Sequence, residues 1–380
     1  MRRNRLIALG LFILSLVAIS FYGGPVSYGF FFFMLFVPFV SAVYTLIMYF
    51  RFKIYQRIDS KVAVAESPVT FYFTLQNEDF YAFSGVKIDF FSDFSTISGL
   101  DEDAEYELFP HNGIKKETGL ICKYRGEYDV GVRNVSVRDY LKLFNFTFRN
   151  RETLTVKVVP RLVILNEITS LDALTASAKE TLTNATEPDV LVRDYIPGDD
   201  IRNINWKLTA STGKPMVRKR IGENAPGISI IMDSKRVSYE PEDYLPLENK
   251  LLEITLALAY YYLERGIRVC VYAYNSRPVF YALERVDDFE EFYETMASFS
   301  FDEDNTSEKL YGFTMEAPDI AASSAAIFVS HSMDEGYMMQ AAVLEGNNIP
   351  TVTYLVTEEQ VSAPGVITVG YDDKLEEVLV

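Results

Sequence analysis

Ile228-Ser229-Ile230-Ile231-Met232-Asp233 is the stretch on which the fold turns. Four of its first five residues are large and apolar, three of them the β-branched isoleucine, and Gly227 stands immediately before. A short unbroken apolar run bounded by a glycine and a polar group predicts a fully buried strand, the kind found inside a parallel sheet rather than at a half-solvated face. Downstream the rhythm alternates. Leu247 to Leu263 carries Leu251, Ile254, Leu258 and Tyr261 on one helical face, with Gly266 past its end in the position that ends helices. Ile267 to Tyr274 reads as the next strand, with Val279 to Leu283 as its pairing partner and an acidic amphipathic helix over Asp287 to Phe299. Further strands follow at Ala325 to Val329, Pro350 to Val356 and Val366 to Val369, with a helix from Gly336 to Glu345. Strands alternating with helices predict a mainly parallel, doubly wound α/β domain over 226–380. Ligands in such sheets sit at the carboxyl ends of the strands, which singles out Asp233, Ser234, Ser330, His331 and Ser332.

Upstream, from about Val62 to Leu165, the period is two. Val69, Phe71, Phe73 and Leu75 alternate with smaller or polar residues, as do Val86, Ile88 and Phe90, then Tyr128, Val130 and Val132, then Leu154, Val156 and Val158. Turn-forming breaks at Gln76-Asn77-Glu78-Asp79 and His111-Asn112-Gly113 separate them. This predicts a β-sandwich-like domain over 58–165. Arg125-Gly126 reads as a strand-entry turn, Arg138-Asp139 as a surface ion pair and His111 as a solvated turn residue; the domain offers no catalytic constellation.

The N-terminus is apolar. Leu6 to Phe21 holds no charge, Gly23-Gly24-Pro25 marks a turn, and Val26 to Phe50 is again uncharged, long enough to cross a hydrocarbon core of about 30 Å. Arg2, Arg3 and Arg5 precede the first run; Arg51, Lys53 and Arg57 follow the second; the connection carries no Lys or Arg. The pattern predicts a transmembrane hairpin over 1–57 with both ends cytoplasmic, a multi-pass protein of the cell membrane. The N-x-S/T triplets at Asn134, Asn145, Asn184 and Asn305 are then chance matches. The chain has 380 residues, of which 49% are apolar, and a net charge of −17. A body this acidic repels phosphate backbones, so no nucleic-acid partner is expected. Its two cysteines, Cys122 and Cys270, lie in apolar stretches and predict buried thiols rather than a disulfide framework.

Between the two soluble domains, 166–225 is a connecting segment whose core is Val192-Arg193-Asp194-Tyr195-Ile196-Pro197-Gly198-Asp199-Asp200-Ile201-Arg202-Asn203-Ile204-Asn205-Trp206-Lys207. Pro197-Gly198 suits the centre of a type II turn, and Asp199 or Asp200 suits the cap of a short helix carrying Ile201, Ile204 and Leu208 on one side. Trp206 is the chain's single tryptophan. This run resembles the signature R-x-Y-x-x-G-D-x-x-R-x-I-x-W-K of domain-of-unknown-function family fifty-eight, with Arg193, Tyr195, Gly198, Asp199, Arg202, Ile204, Trp206 and Lys207 in those places. The paired apolar runs, the R-G-x-Y at Arg125 to Tyr128, the V-V-P-R at Val158 to Arg161 and the α/β pattern extend the likeness.

The resemblance implies a von Willebrand factor A-like fold for the last domain. It also implies a partnership with a MoxR-type AAA ATPase and a transglutaminase-like membrane protein, in assembly or maturation of other proteins. The implied role is a non-enzymatic scaffold or adaptor with no catalytic residue. Arg193, Tyr195, Gly198, Asp199, Arg202, Trp206 and Lys207 then serve as an interdomain clamp or a docking surface. The A-type fold often binds Mg²⁺ through D-x-S-x-S after its first strand. Here the run is Asp233-Ser234-Lys235-Arg236-Val237, so the second and fourth following positions offer an ammonium and an isopropyl group instead of hydroxyls. Asp233 and Ser234 are the remnants of such a site, and no resident Mg²⁺ is expected. The alternative is a metal-dependent adhesion or hydrolytic module at the Asp233 loop. Ser211-Thr212-Gly213-Lys214-Pro215 fails as a phosphate loop, since Leu208 stands where the first glycine belongs. With His111 and His331 as its only histidines, the chain gives little material for a Ser-His-Asp site.

Overall fold

A computed structural model describes residues 2–100, 104–166, 191–194, 209–210, 213–214, 216–219, 227–302 and 307–378. The chain divides into two compact units, one up to Val159 and the other from Pro160 onward.

In the first unit, α1 (Arg2–Tyr22) and α2 (Pro25–Arg51) are joined by a tight turn in which Gly23 takes a left-handed φ of 43°. Pro25 opens α2 where its missing N–H costs nothing. Their mean hydropathies of 2.1 and 2.3 make both helices long and apolar enough to cross a membrane. The reading of Val26 to Phe50 as one lipid-crossing run needs correction at its end. Met48 and Phe52 are buried within the core of the β-structure that follows, and Tyr44 and Tyr49 pack against that core. Hydropathy cannot separate a side chain buried in lipid from one buried in protein.

That β-structure places β1 (Lys53–Ile58), β3 (Pro68–Gln76), β7 (Gly113–Cys122) and β5 (Ser95–Ser98) in one antiparallel sheet, ordered β1-β3-β7-β5. A second sheet is ordered β10 (Asn145–Arg149), β9 (Val132–Arg138), β4 (Phe83–Phe90) and β6 (Glu105–Leu108). A third joins β2 (Val62–Val64), β11 (Leu154–Val159) and β8 (Gly126–Val130). The expected alternation holds: Phe71, Phe73 and Leu75 from β3 share a core with Val86 and Ile88 from β4 and Val135 and Val137 from β9. The first strand begins at Lys53, inside the span assigned to the hairpin, so hairpin and β-structure are one unit rather than two. Arg138-Asp139 is not a surface pair. Arg138 binds Glu105 at 2.5 Å. Asp139 is 2% exposed, accepts the Phe144 N–H at 2.8 Å and takes the Ser41 hydroxyl of α2.

The second unit starts earlier than the pattern suggested. Val163 and Leu165 are buried in its core, and Arg161 donates twice to Glu253, at 3.0 and 2.8 Å. β12 (Leu191–Asp194) pairs antiparallel with β13 (Met216–Lys219). The principal sheet is ordered β16 (Arg277–Leu283), β15 (Val269–Asn275), β14 (Ile228–Met232), β17 (Ala325–Ser330), β18 (Thr351–Val356) and β19 (Val366–Val369). Every pairing is parallel except that of β16 at one edge. Side-chain alternation along β14 accounts for the layers. Ile228, Ile230 and Met232 face a core with α3 (Pro241–Glu264) and α4 (Asp288–Ala297). Ile231 faces the opposite core, with α5 (Ser307–Met315), α6 (Pro318–Ala321) and α7 (Glu335–Gly346). A last turn, α8 (Leu375–Val378), buries Leu375 against the first core. Helices thus cover both faces of the sheet, as the strand-helix alternation predicts.

Candidate functional site

In the order β16-β15-β14-β17, the chain passes from β14 to β15 on one side and then returns to lay β17 on the other, and α3 after β14 and α7 after β17 pack on opposite faces of the sheet. Loops leaving β14 and β17 therefore diverge at their carboxyl ends, which is where such sheets open a crevice. Asp233 leaves β14 there and Ser330-His331-Ser332 leave β17.

Asp233 is 2% exposed and heavily engaged. Its own N–H donates to Val329 O at 2.8 Å, so the loop continues the strand pairing by one residue. Its Oδ1 accepts the Lys235 N–H at 3.1 Å, an Asx turn that folds the loop back. Its Oδ2 lies 3.2 Å from the Ser330 hydroxyl and 2.7 Å from His331 Nδ1. The imidazole contact is a close approach without hydrogen-bond alignment, for Nδ1 finds no aligned acceptor. Ser234 is fully buried; its hydroxyl donates to Tyr274 O at 2.5 Å and accepts the Tyr274 N–H at 3.1 Å, tying the loop to the end of β15. Arg236 pairs with Glu248 of α3 at 2.7 Å and lies 4.1 Å over the Tyr244 ring.

The structure thus brings together Asp233, Ser330 and His331, while Ser234 turns to the neighbouring strand. Ser332 contributes backbone: its carbonyl accepts from Ser330 at 2.7 Å. Sequence reasoning missed Tyr311, which arrives from α5. Its hydroxyl engages Ser330, and burial first, then the Asp233 charge, pushes its pKa well above the ordinary phenol range, so the phenol stays protonated. Gly336 lets that ring in, since a Cβ there would stand 2.8 Å from Tyr311 Cδ2. No periodicity marked α5, because Gly312 interrupts a run of only nine residues.

A hard dication asks for a cluster of free oxygens. Here Ser234 is spent on β15, Ser330 on Asp233 and Ser332, and an imidazole nitrogen stands against the one carboxylate. Among the described residues no group of three or more His, Cys, Asp or Glu is placed to hold a metal. This donor set does not fit Mg²⁺. Nor do the three side chains form a nucleophilic relay, which runs hydroxyl to imidazole to carboxylate: the Ser330 hydroxyl serves Asp233 directly. Of the signature residues, Arg193 lies in β12; Tyr195, Gly198, Asp199, Arg202, Trp206 and Lys207 lie outside the described residues.

The family of unknown function DUF58 has a model that matches residues 191–282, from β12 through β16. This region is a DUF58 domain. The match starts at the signature run and includes the Asp233 loop, so the DUF58 resemblance read from Arg193 to Lys207 stands. No match was found among curated proteins. Among solved structures, a cycloisomaltooligosaccharide glucanotransferase from Paenibacillus sp., complexed with cycloisomaltoheptaose, is 11% identical at a TM-score of 0.16. The alignment covers 79% of this chain and 44% of that one, and a superposition so loose carries no argument.

Proposed function

We propose that this DUF58 protein is a membrane-anchored, non-enzymatic adaptor that works beside a MoxR-type AAA ATPase, and a transglutaminase-like membrane protein, in assembling or maturing other proteins. One observation supports the reading: the carboxylate at the sheet's crevice is engaged by its own chain. Lys235 N–H, the Ser330 hydroxyl and the His331 ring surround Asp233 where a reactive or metal-binding site would keep a position open. A surface closed in this way suits docking. Strand order and two-sided helix cover support a von Willebrand factor A-like domain, a fold suited to binding partners. The hairpin holds the chain in the cell membrane as a multi-pass protein. Arg2, Arg3 and Arg5 at one end and Arg51, Lys53 and Arg57 at the other favour a cytoplasmic body.

The docking surface is assigned to Arg202, Lys207 and the Arg218-Lys219-Arg220 run, basic groups on an otherwise acidic chain, offered to an acidic partner. Cross-linking in native membranes, followed by mass spectrometry, tests this. An ATPase recovered with the parent chain and lost on Lys219→Glu with Arg220→Glu, at unchanged melting temperature, supports the adaptor. Equal recovery from the reversed variant, or no ATPase from the parent, refutes it.

A further inference from the structure

Both helices of the hairpin reach one short loop of their own unit. In α1, Asn4 Nδ2 donates to Leu141 O at 2.9 Å and Arg5 Nε to Leu143 O at 2.7 Å. In α2, Ser41 bonds Asp139, and Tyr44 stacks on Tyr140 with ring centroids 5.6 Å apart. Counting from the turn locates this level. Tyr22 to Arg5 is 17 residues and Pro25 to Ser41 is 16. At 1.5 Å per residue, both points lie roughly 25 Å from the turn. The two helices agree on one depth, and loop 139–143 sits at it.

A hydrocarbon core is about 30 Å thick. An apolar hairpin that reaches only some 25 Å before meeting this loop cannot hold the loop clear of the membrane surface. What the loop shows at that depth is telling: Tyr140 is 61% exposed and Leu141 46% exposed, next to Lys142, whose left-handed φ of 55° makes the tip. An exposed aromatic and leucine are costly in water and favoured at the interfacial layer, where Tyr is enriched. The charges on and beside this loop are Arg5, Arg138 and Lys142, with Arg2 and Arg3 up to one turn further along α1, against Asp139, which is buried, and Glu105, which is shared by Arg138 at 2.5 Å and Lys142 at 3.6 Å; cations are in excess here on a chain of net charge −17. That local excess matches an anionic headgroup layer.

We infer that the β9–β10 loop is a third membrane contact, with Tyr140 and Leu141 inserted into the interface of the leaflet that holds both ends of the hairpin, and Lys142 against anionic headgroups. This rests on the proposed anchoring. It makes the unit membrane-seated rather than tethered, fixing the rotation of its β-sheets about the helix pair.

The full chain in nanodiscs, carrying an environment-sensitive thiol dye on Leu141→Cys, tests the inference. Phe32→Cys reports the span and Glu117→Cys, on β7, reports water; the parent's buried Cys122 and Cys270 control for stray labelling. The expected result at 141 is a blue shift relative to 117, quenching by lipids brominated near the headgroups, and loss of iodide quenching. Quenching at 32 by deeply brominated lipids with 141 open to iodide overturns the inference and leaves the anchor. A 141 dye shielded from iodide yet blind to brominated lipids also overturns it, by showing another protein on the loop. No lipid quenching at 32 removes the anchor and the inference together.

Discussion

Asp233 and Asp79 show two different fates of a buried carboxylate. Asp233 is surrounded by its own chain, and the structural consequence is that a dication has nothing to gain. A ligand that binds only the folded state must raise its stability, so millimolar Mg²⁺ should leave the melting temperature of the parent unchanged, as it should for Asp233→Ala. A rise in the parent, absent from the variant, would establish the metal-dependent alternative. Asp79, 5% exposed, is held by Arg51 at 2.6 Å, and that guanidinium keeps its carboxyl below the usual range. The sign follows from linkage: a depressed folded-state pKa gives stability that is complete above the unfolded value, about 4, and is lost as pH falls through the folded value. Asp79→Asn should therefore lower stability at pH 7 and show a shallower acid limb in denaturation profiles. Identical acid limbs would mean the pair contributes nothing. Trp206 is a third case at this scale. It lies outside the described residues, and the anchoring role expected of it from the sequence predicts that Trp206→Ala reduces the melting temperature of the protein; an unchanged value removes that role.

The α/β elements were the most legible in the sequence because burial on both faces leaves unbroken apolar runs. Ile228 to Met232 and Ala325 to Ser330 are buried at every position, as those runs demand. Gly227, where the change of rhythm was read, has a steric reason: a Cβ there would meet Arg268 O at 2.4 Å. Gly227→Ala must push β14 from the start of β15, and overpacking of this kind costs about 1–3 kcal/mol, measurable by urea denaturation; a cost near zero would show that the backbones have room to part. Less legible were elements whose partners lie far along the chain. Arg161, read only as part of V-V-P-R, finds Glu253 92 residues away, and Lys250 binds the same carboxylate at 2.8 Å. Spacing cannot announce such a buried charge network. The end of α2 was misread for the related reason that Met48 looks alike in lipid and in protein. Met48→Ala should cost about 2–5 kcal/mol, the usual range for a buried Met in a well-packed core, and the loss should appear in the β-structure; a variant affected only in membrane insertion would return Met48 to the lipid.

At the scale of the whole molecule, the chain passes from one compact unit to the other between Val159 and Pro160. The second has a closed core of its own, since β14 to β19 and helices α3 to α8 bury one another. A fragment from Pro160 to Val380 should therefore fold cooperatively, with native chemical shifts in the principal sheet. A fragment of the first unit should behave differently according to where it begins. One starting at Ser41 retains Tyr44, Met48 and Tyr49, whereas one starting at Lys53 exposes the faces they cover and should aggregate. Equal solubility would show that the helix is dispensable to the core. For orientation, a reporter fused after Val380 and active only in the cytoplasm should be active.

α2 is a single helix from Pro25 to Arg51, apolar at one end and lodged in the β-core at the other, with Pro38 between. Mechanically it is a beam built into a wall. A proline within a helix removes one backbone hydrogen bond and permits a bend, and here that compliant point lies three residues before Ser41. On the proposed anchoring, a bilayer that thins or thickens changes the tilt of α2. For a domain on a slack tether such a tilt is lost as play; a domain clamped to the beam has to turn with it, by an angle that the stiffness at Pro38 divides between bending and rotation.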